Sequence, residues 1–454
     1  MSKINGMSNA SAGSVPLSGG GESVRCGLNW ERVHDAALEE TYFRTQHPSG
    51  LEIQVCPKEG YSSAYAVFST KYGSIDTDIV KPGEVVKIPE GTAHFLEHKL
   101  FESEEQDAFA RFAKTGASAN AYTSFEKTAY EFSCSGSFDE NLEILLDFVQ
   151  APYFTQATVE KEQGIIGQEI RMGLDSPGRE VFFQLMKALF PSHPVRIEIA
   201  GTEESIAEIS AELLHGCYAH YYDLRNMMLA VAGNATLEQV EAIADKLLKD
   251  SDASKEPVRR VEMIDNAAPG SALQRKSMEV GAPIFMLGCK EVLKDSQLSS
   301  KDIVLAELVL DILVGEASPL HEQLMGEGLI NANFETELLY GWGYSSPLFE
   351  GESKQPELAA QKIQEALLQA AKEGIPADAF TRARKRAYGR LVNNCNDVDW
   401  LANNMTDAFF AGDGFYAQAQ ALREITLEDA NRRAAELFRP DMFALSIIDP
   451  ISKG

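Results

Sequence analysis

The stretch GTAHFLEHKL, residues 91–100, carries two histidines four apart with a glutamate directly before the second. On a helix, His94 and His98 are i and i+4, so both imidazoles leave the same face and reach toward one point. Glu97 borders that face. Two neutral imidazoles and a neighbouring carboxylate are what a hydrolytic metal site needs from one helix: two ligands, and a base for water. The chain has eight histidines, and with that number H-x-x-E-H arises by chance roughly once per hundred chains. The bland alternative, an ordinary helix with two surface or capped histidines, is therefore disfavoured. The third ligand has to come from elsewhere.

Around this helix the pattern is globular. The chain has 454 residues and 44% hydrophobic content, too long for a single ordinary core and apolar enough for two. A formal charge of −27 excludes a phosphate-binding, nucleic-acid surface. No apolar run reaches membrane-spanning length. The six cysteines lie far apart with no CxxC pair, as in a reducing compartment. The first 25 residues, rich in Ser, Gly and Asn, have neither an apolar signal core nor an arginine-rich amphipathic face. They read as a disordered tail, and a cytoplasmic location follows.

YAVFSTKYGS (65–74) reads as a strand, and the helix of the histidine pair opens near Thr92 as N-cap. KTGASANAYTSFEKTAYEFSCS (114–135) suits two paired strands, and residues 139–150 and 158–174 suit helices. MMLAVAGNATLEQVEAIADKLLKD (227–250) reads as a buried strand, a turn and a helix with capping-box spacing at Thr236 and Gln239. Residues 251–274 are polar and broken by Pro and Gly, a linker. Beyond it, SMEVGAPIFMLGCKE (277–291) contains a strand, followed by an apolar helix over 301–314. NMMLAV (226–231) and DMFALS (441–446) each start a buried strand after a helix and a turn, a weak internal repeat. YGWGYSS (340–346) either lines a chamber or packs as a loop on its own aromatics. The expected architecture is α+β, with a zinc-binding domain over 26–250 and a homologous domain over 275–454. Each would be a mostly antiparallel sheet with helices packed on one face.

The order H-x-x-E-H, together with Gly73-Ser74, GTAHFLEHKLFES, NAYTSFEKTAYEF, the glutamate-bearing helix, His193-Pro194 with IAGTEESI, and LAVAGN, resembles the insulinase/pitrilysin family of zinc metallopeptidases. The resemblance runs from about Leu51 to Asn234 and continues faintly through the second half. In that family a helix carries two glutamates seven apart. Glu162 and Glu169 fit, two helical turns apart on one face. The resemblance implies that Glu169 is the third ligand and that Glu162 orients a ligating histidine, the alternative for Glu162 being a solvated helix face. It implies one Zn²⁺ per chain, with Glu97 as the base in peptide-bond hydrolysis. It also implies that Asn120, Ala121 and Thr123 belong to an edge strand on which an extended peptide pairs.

One departure stands out. Self-sufficient relatives carry an arginine and a tyrosine in the second half that stabilise the substrate carbonyl. The matching stretch here is LMGEGLIN, 324–331, with Met325 and Asn331 near those positions. The resemblance is best to short bacterial chains that work in pairs, one member lacking the zinc motif. The expected partners are therefore a peptide substrate and a motif-lacking homologue, in a heterodimer, or a second copy in a homodimer. Other uses of this fold are a non-catalytic scaffold subunit and a mitochondrial-type processing peptidase subunit.

Overall fold

The computed structural model describes residues 27–81, 84–104, 107–249 and 256–451. The expected N-terminal tail and the first part of the expected linker lie outside them. The first half contributes strands β1 (Glu31–Asp35), β2 (Glu40–Gln46), β3 (Glu52–Pro57), β4 (Ala64–Thr70), β5 (Asp78–Lys81), β6 (Glu84–Lys87), β7 (Ser118–Thr123), β8 (Thr128–Cys134) and β9 (Met227–Gly233). β5 and β6 pair as a separate ribbon, and the other seven form one sheet in the order β1-β2-β3-β9-β4-β8-β7. All its neighbours are antiparallel except β3 with β9. The second half contributes β10 (Leu273–Met278), β11 (Ile284–Cys289), β12 (Glu335–Gly341), β13 (Tyr344–Glu352) and β14 (Phe443–Pro450), in the order β10-β14-β11-β13-β12.

The two sheets share a plan. β3-β9-β4-β8-β7 corresponds strand for strand to β10-β14-β11-β13-β12. In each of these five-strand sets, the last strand of the half lies parallel to the one that heads the set and is inserted inside the sheet. The paired NMMLAV and DMFALS segments start these two inserted strands, so the repeat in the sequence is a repeat in topology.

Each half packs its own helices on one face of its sheet, as expected. In the first half Ile53, Val55, Ala66, Phe68, Phe132 and Leu229 meet the helices Phe138–Val149 and Leu237–Leu247 through Leu142, Leu145, Val240 and Ala244. The opposite face of each sheet is covered by a helix of the other half. Val398, Leu401, Ala402 and Met405, on helix Val398–Phe410, pack on Val67, Met228 and Ala230 of the first sheet. Val181, Leu185, Met186 and Leu189, on helix Pro177–Leu189, pack on Met286, Leu348 and Ile448 of the second. Strands covered on both faces need continuous apolar runs, not alternation. β4 and β9 are accordingly buried at every residue.

The segment that joins the halves is clamped. Arg260 is ion-paired to Asp76 and Glu126 with its side chain only 6% exposed. Asp265 receives Lys290 at 2.7 Å and the Ser192 hydroxyl at 2.7 Å. The YGWGY segment forms the tip of the β12–β13 hairpin. There Trp342 donates its indole N–H to Val261 O at 2.8 Å and its backbone N–H to Glu126 at 2.9 Å. Gly343 sits at φ +87°, where a Cβ would fall 1.6 Å from Met263 O. Among the described residues no helix is long and apolar enough to cross a membrane. Cys56, Cys134, Cys217, Cys289 and Cys395 are free and buried.

Candidate metal centre

The histidine pair lies on helix Thr92–Leu100. Its N-cap is Gly91, not Thr92; the Thr92 hydroxyl turns back to donate to Pro89 O at 2.6 Å. Gly91 (φ +87°) is forced by close packing, since a Cβ there would lie 2.4 Å from Ala200 O, and one on Gly201 (φ +74°) would lie 2.5 Å from Glu90 O. This backbone crossing, with Ser205 Oγ donating to Glu90 O at 2.9 Å, fixes the start of the histidine helix on the AGTEES segment. The long helix Gln156–Leu174 is held against the same segment by Gln163 Nε2, which donates to Ile206 O at 3.1 Å and Ile209 O at 3.0 Å.

These contacts bring Glu169, 71 and 75 positions from the two histidines, into one cluster with them. One ligand atom each of His94, His98 and Glu169 lies within 4.8 Å of the others, the only such His/Cys/Asp/Glu group among the described residues. His94 Nε2 is 3.6 Å from one Glu169 oxygen and His98 Nε2 is 3.7 Å from the other. Those separations are too long for hydrogen bonds. They are close to the roughly 3.3 Å expected between ligands sharing one tetrahedral ion at about 2.0–2.1 Å. His94 is 9% exposed, and its Nδ1 is buried without a hydrogen-bond partner among the described residues. Burial, aided by the His98 and Arg179 charges, pushes the His94 pKa down to about 3, which keeps the ring neutral and able to ligate.

Glu162 is 8% exposed and stands 3.0 Å from His98 Nδ1. This is a second carboxylate behind the ring, fixing the tautomer with Nε2 free. Burial depresses the His98 pKa, but the Glu162 hydrogen bond and the Glu97 and Glu169 charges outweigh it and the net shift is upward. Glu97 projects beside the pair, with one oxygen receiving the Thr123 hydroxyl at 2.8 Å. Burial raises its pKa, against the Thr123 hydrogen bond and the His98 charge.

Thr123 ends β7, the edge strand of the large sheet, which pairs only with β8. Asn120 and Ala121 lie on the same strand, Asn120 exposed and Ala121 half-buried. The hydrogen bond from Thr123 to Glu97 was not visible in sequence, where Thr123 reads only as part of an edge; a β-branched hydroxyl residue 26 positions away gives no local signal. His193, one of the residues that carry the resemblance, is buried, with Nε2 2.9 Å from Trp342 O and Nδ1 accepting from Val195 N–H at 3.0 Å.

A doubled α+β chain with two histidines and a glutamate converging beside an edge strand defines a class, the two-domain zinc-protease fold. The particular family follows from comparison. Residues 86–203 match the family described as Insulinase (Peptidase family M16), and residues 208–387 match the domain described as Peptidase M16 inactive domain. A Bacillus subtilis protein named "Uncharacterized zinc protease YmfH" is 37% identical over 91% of this chain and 98% of its own length. The crystal structure of an M16-like peptidase from Alicyclobacillus acidocaldarius superposes with a TM-score of 0.85 at 33% identity, covering 95% of this chain and 100% of that one. A protease from Helicobacter pylori shares the fold, with a TM-score of 0.76 at 19% identity over 93% of this chain and 100% of that one. The chain belongs to the M16 (insulinase) peptidase family.

Proposed function

We propose that this chain is a zinc-dependent endopeptidase acting on short or unfolded peptides. The observation that carries the reading is the convergence of His94, His98 and Glu169 within 4.8 Å beside the buried carboxylate of Glu97. His94, His98 and Glu169 would hold one Zn²⁺. The bound ion would supply Lewis acidity, bringing the pKa of water toward about 7 and polarising the scissile carbonyl.

The chain's own residues do the rest. Thr123 holds one Glu97 oxygen, leaving the other to take the proton of the attacking water. As the C–O bond forms and the C–N bond breaks, that proton passes to the leaving amine nitrogen. A carboxyl with a pKa raised by burial is suited to both taking and returning it. Glu162 keeps His98 in the ligating tautomer. The open edge of β7 offers main-chain pairing to an extended peptide and reads little of its side chains. Metal analysis of the purified chain, with cleavage of a quenched unstructured peptide before and after chelation, tests the reading. A zinc-free chain that cleaves equally well overturns it.

The chain is further proposed to pair with a homologous, motif-lacking subunit. Asn331, near the position of a carbonyl-stabilising tyrosine, donates to Glu352 at 2.9 Å. Met325, near the arginine position, is exposed and has no N–H or O–H to give. A subunit that keeps such donors would supply them.

A further inference from the structure

A cation lies close to the metal triad, on an element so far assigned only a packing role. Helix Pro177–Leu189 follows directly on the helix of Glu162 and Glu169. Its Arg179 turns back over Gly173. A Cβ on Gly173 would lie 2.6 Å from Arg179 Nη1 and 2.9 Å from Cζ, so the guanidinium occupies space that only a glycine leaves open.

Gly173 is four residues beyond Glu169. At 100° per residue, Glu162, Glu169 and Gly173 fall within a narrow arc of one helix face, Gly173 about 6 Å further along the axis. The guanidinium therefore sits one turn past the ligand carboxylate, on the ligand side of the helix.

Arg179 is anchored by one atom. Its Nε donates to Glu198 at 2.5 Å, and its side chain is 29% exposed. Nη1 and Nη2 have no hydrogen-bond partner among the described residues. A guanidinium held by Nε presents its two Nη groups as a fork, the geometry that matches a carboxylate bidentately. In a chain of net charge −27, a partly exposed fork one helical turn from the ligand carboxylate is an exception to the general field.

We propose that Arg179 is a specificity-determining residue that binds a carboxylate of the peptide substrate next to the scissile bond. This deepens the peptidase reading and rests on a peptide lying across the triad. The carboxylate can be the free C-terminus of a short peptide or an acidic side chain near the cleaved bond. Glu198 holds the fork in place and does not compete for it, because it occupies Nε.

The test measures binding, separately from turnover, in the full-length chain carrying Glu97→Gln. Three fluorescein-labelled hexapeptides of one neutral sequence serve as probes. One ends in a free carboxylate, one carries a single Glu with an amidated end, and one carries Gln with an amidated end. With Arg179 present, at least one carboxylate peptide should bind on the order of 10-fold more tightly than the neutral one. Which of them does so identifies the source. Arg179→Gln should erase the preference, and Arg179→Lys should keep part of it, because a point charge lacks the fork. The Lys variant also guards against a fold defect from loss of the Glu198 pair. Equal binding of all three peptides by the parent overturns the proposal, as does a preference that survives Arg179→Gln. Turnover of the neutral peptide by the unmutated chain reports on the peptidase reading by itself, so the two ideas fail by different measurements.

Discussion

Glu97, Glu162 and Glu169 are three carboxylates in one site with different surroundings, and amide replacement should separate them. Glu97→Gln keeps the ligands and removes the base, so zinc content should stay at one per chain while peptide cleavage disappears. Glu169→Gln should nearly empty the site. Glu162→Gln removes the partner of His98 Nδ1 and should cost about 10- to 100-fold in zinc affinity or activity. Zinc titration of the three variants checks the order, and equal, complete metal loss in Glu162→Gln and Glu169→Gln would contradict it. His193 gives a pH signature away from the metal. Burial lowers its pKa to about 4, and its two hydrogen bonds suit only the neutral ring. The unfolded chain, with His near 6.5, takes up a proton that the folded chain refuses. Stability should therefore be full above about pH 6.5 and fall as the pH drops toward 4, by up to roughly 3 kcal/mol. Urea titrations at pH 7 and pH 4.5 should show this loss, and it should shrink in His193→Gln. At this scale the pentapeptide and the seven-residue glutamate spacing were legible, because helical geometry converts spacing into a shared face. The burial that sets the state of His193 and Glu97 was not, since it comes from segments remote in sequence.

The joining segment is where single elements can be tested. Gly343→Ala places a methyl group against Met263 O at a backbone angle that only glycine adopts freely. It should destabilise the chain by roughly 2–5 kcal/mol. Arg260→Gln strands the buried Asp76 and leaves the half-buried Glu126 without its cation, and should cost about 3–5 kcal/mol. Denaturant midpoints measure both, and a midpoint unchanged in either variant would mean that the clamp carries no stability. Element boundaries read from sequence followed the strength of the local pattern. The helices Phe138–Val149, Gln156–Leu174 and Ser300–Leu313 were legible in the sequence to within two residues at either end. The SMEVGAPIFMLGCKE stretch, read as one strand, spans the end of β10 and all of β11, parted at Gly281-Ala282-Pro283. β10 was hard to see because its sequence, LQRKSM, is polar and mostly exposed at a sheet edge. The start at Gly91 in place of Thr92 reflects a backbone contact with Ala200 that no propensity encodes.

At the scale of the whole molecule, pairing is the property to measure. A missing carbonyl donor costs on the order of 100- to 1000-fold in turnover, so the chain alone should be slow. A stoichiometric mixture with a motif-lacking homologue should be faster by a similar factor. If the chain alone matches the mixture, the pairing proposal fails. The two-sheet plan was legible in outline through the NMMLAV and DMFALS segments. The exchange of helices between halves was not, since an apolar stripe says that a helix is covered but not by which sheet. That exchange has a consequence in time. The first sheet is complete in sequence at Gly233, but the helix that covers its outer face ends at Phe410. At about 5–20 residues per second of synthesis, some nine to thirty-five seconds separate the two. For that interval the apolar surface of Val67, Met228 and Ala230 waits uncovered on the ribosome. The nascent chain should be a client of holding chaperones until its last eighth emerges, and a slower ribosome should lower the yield of soluble protein.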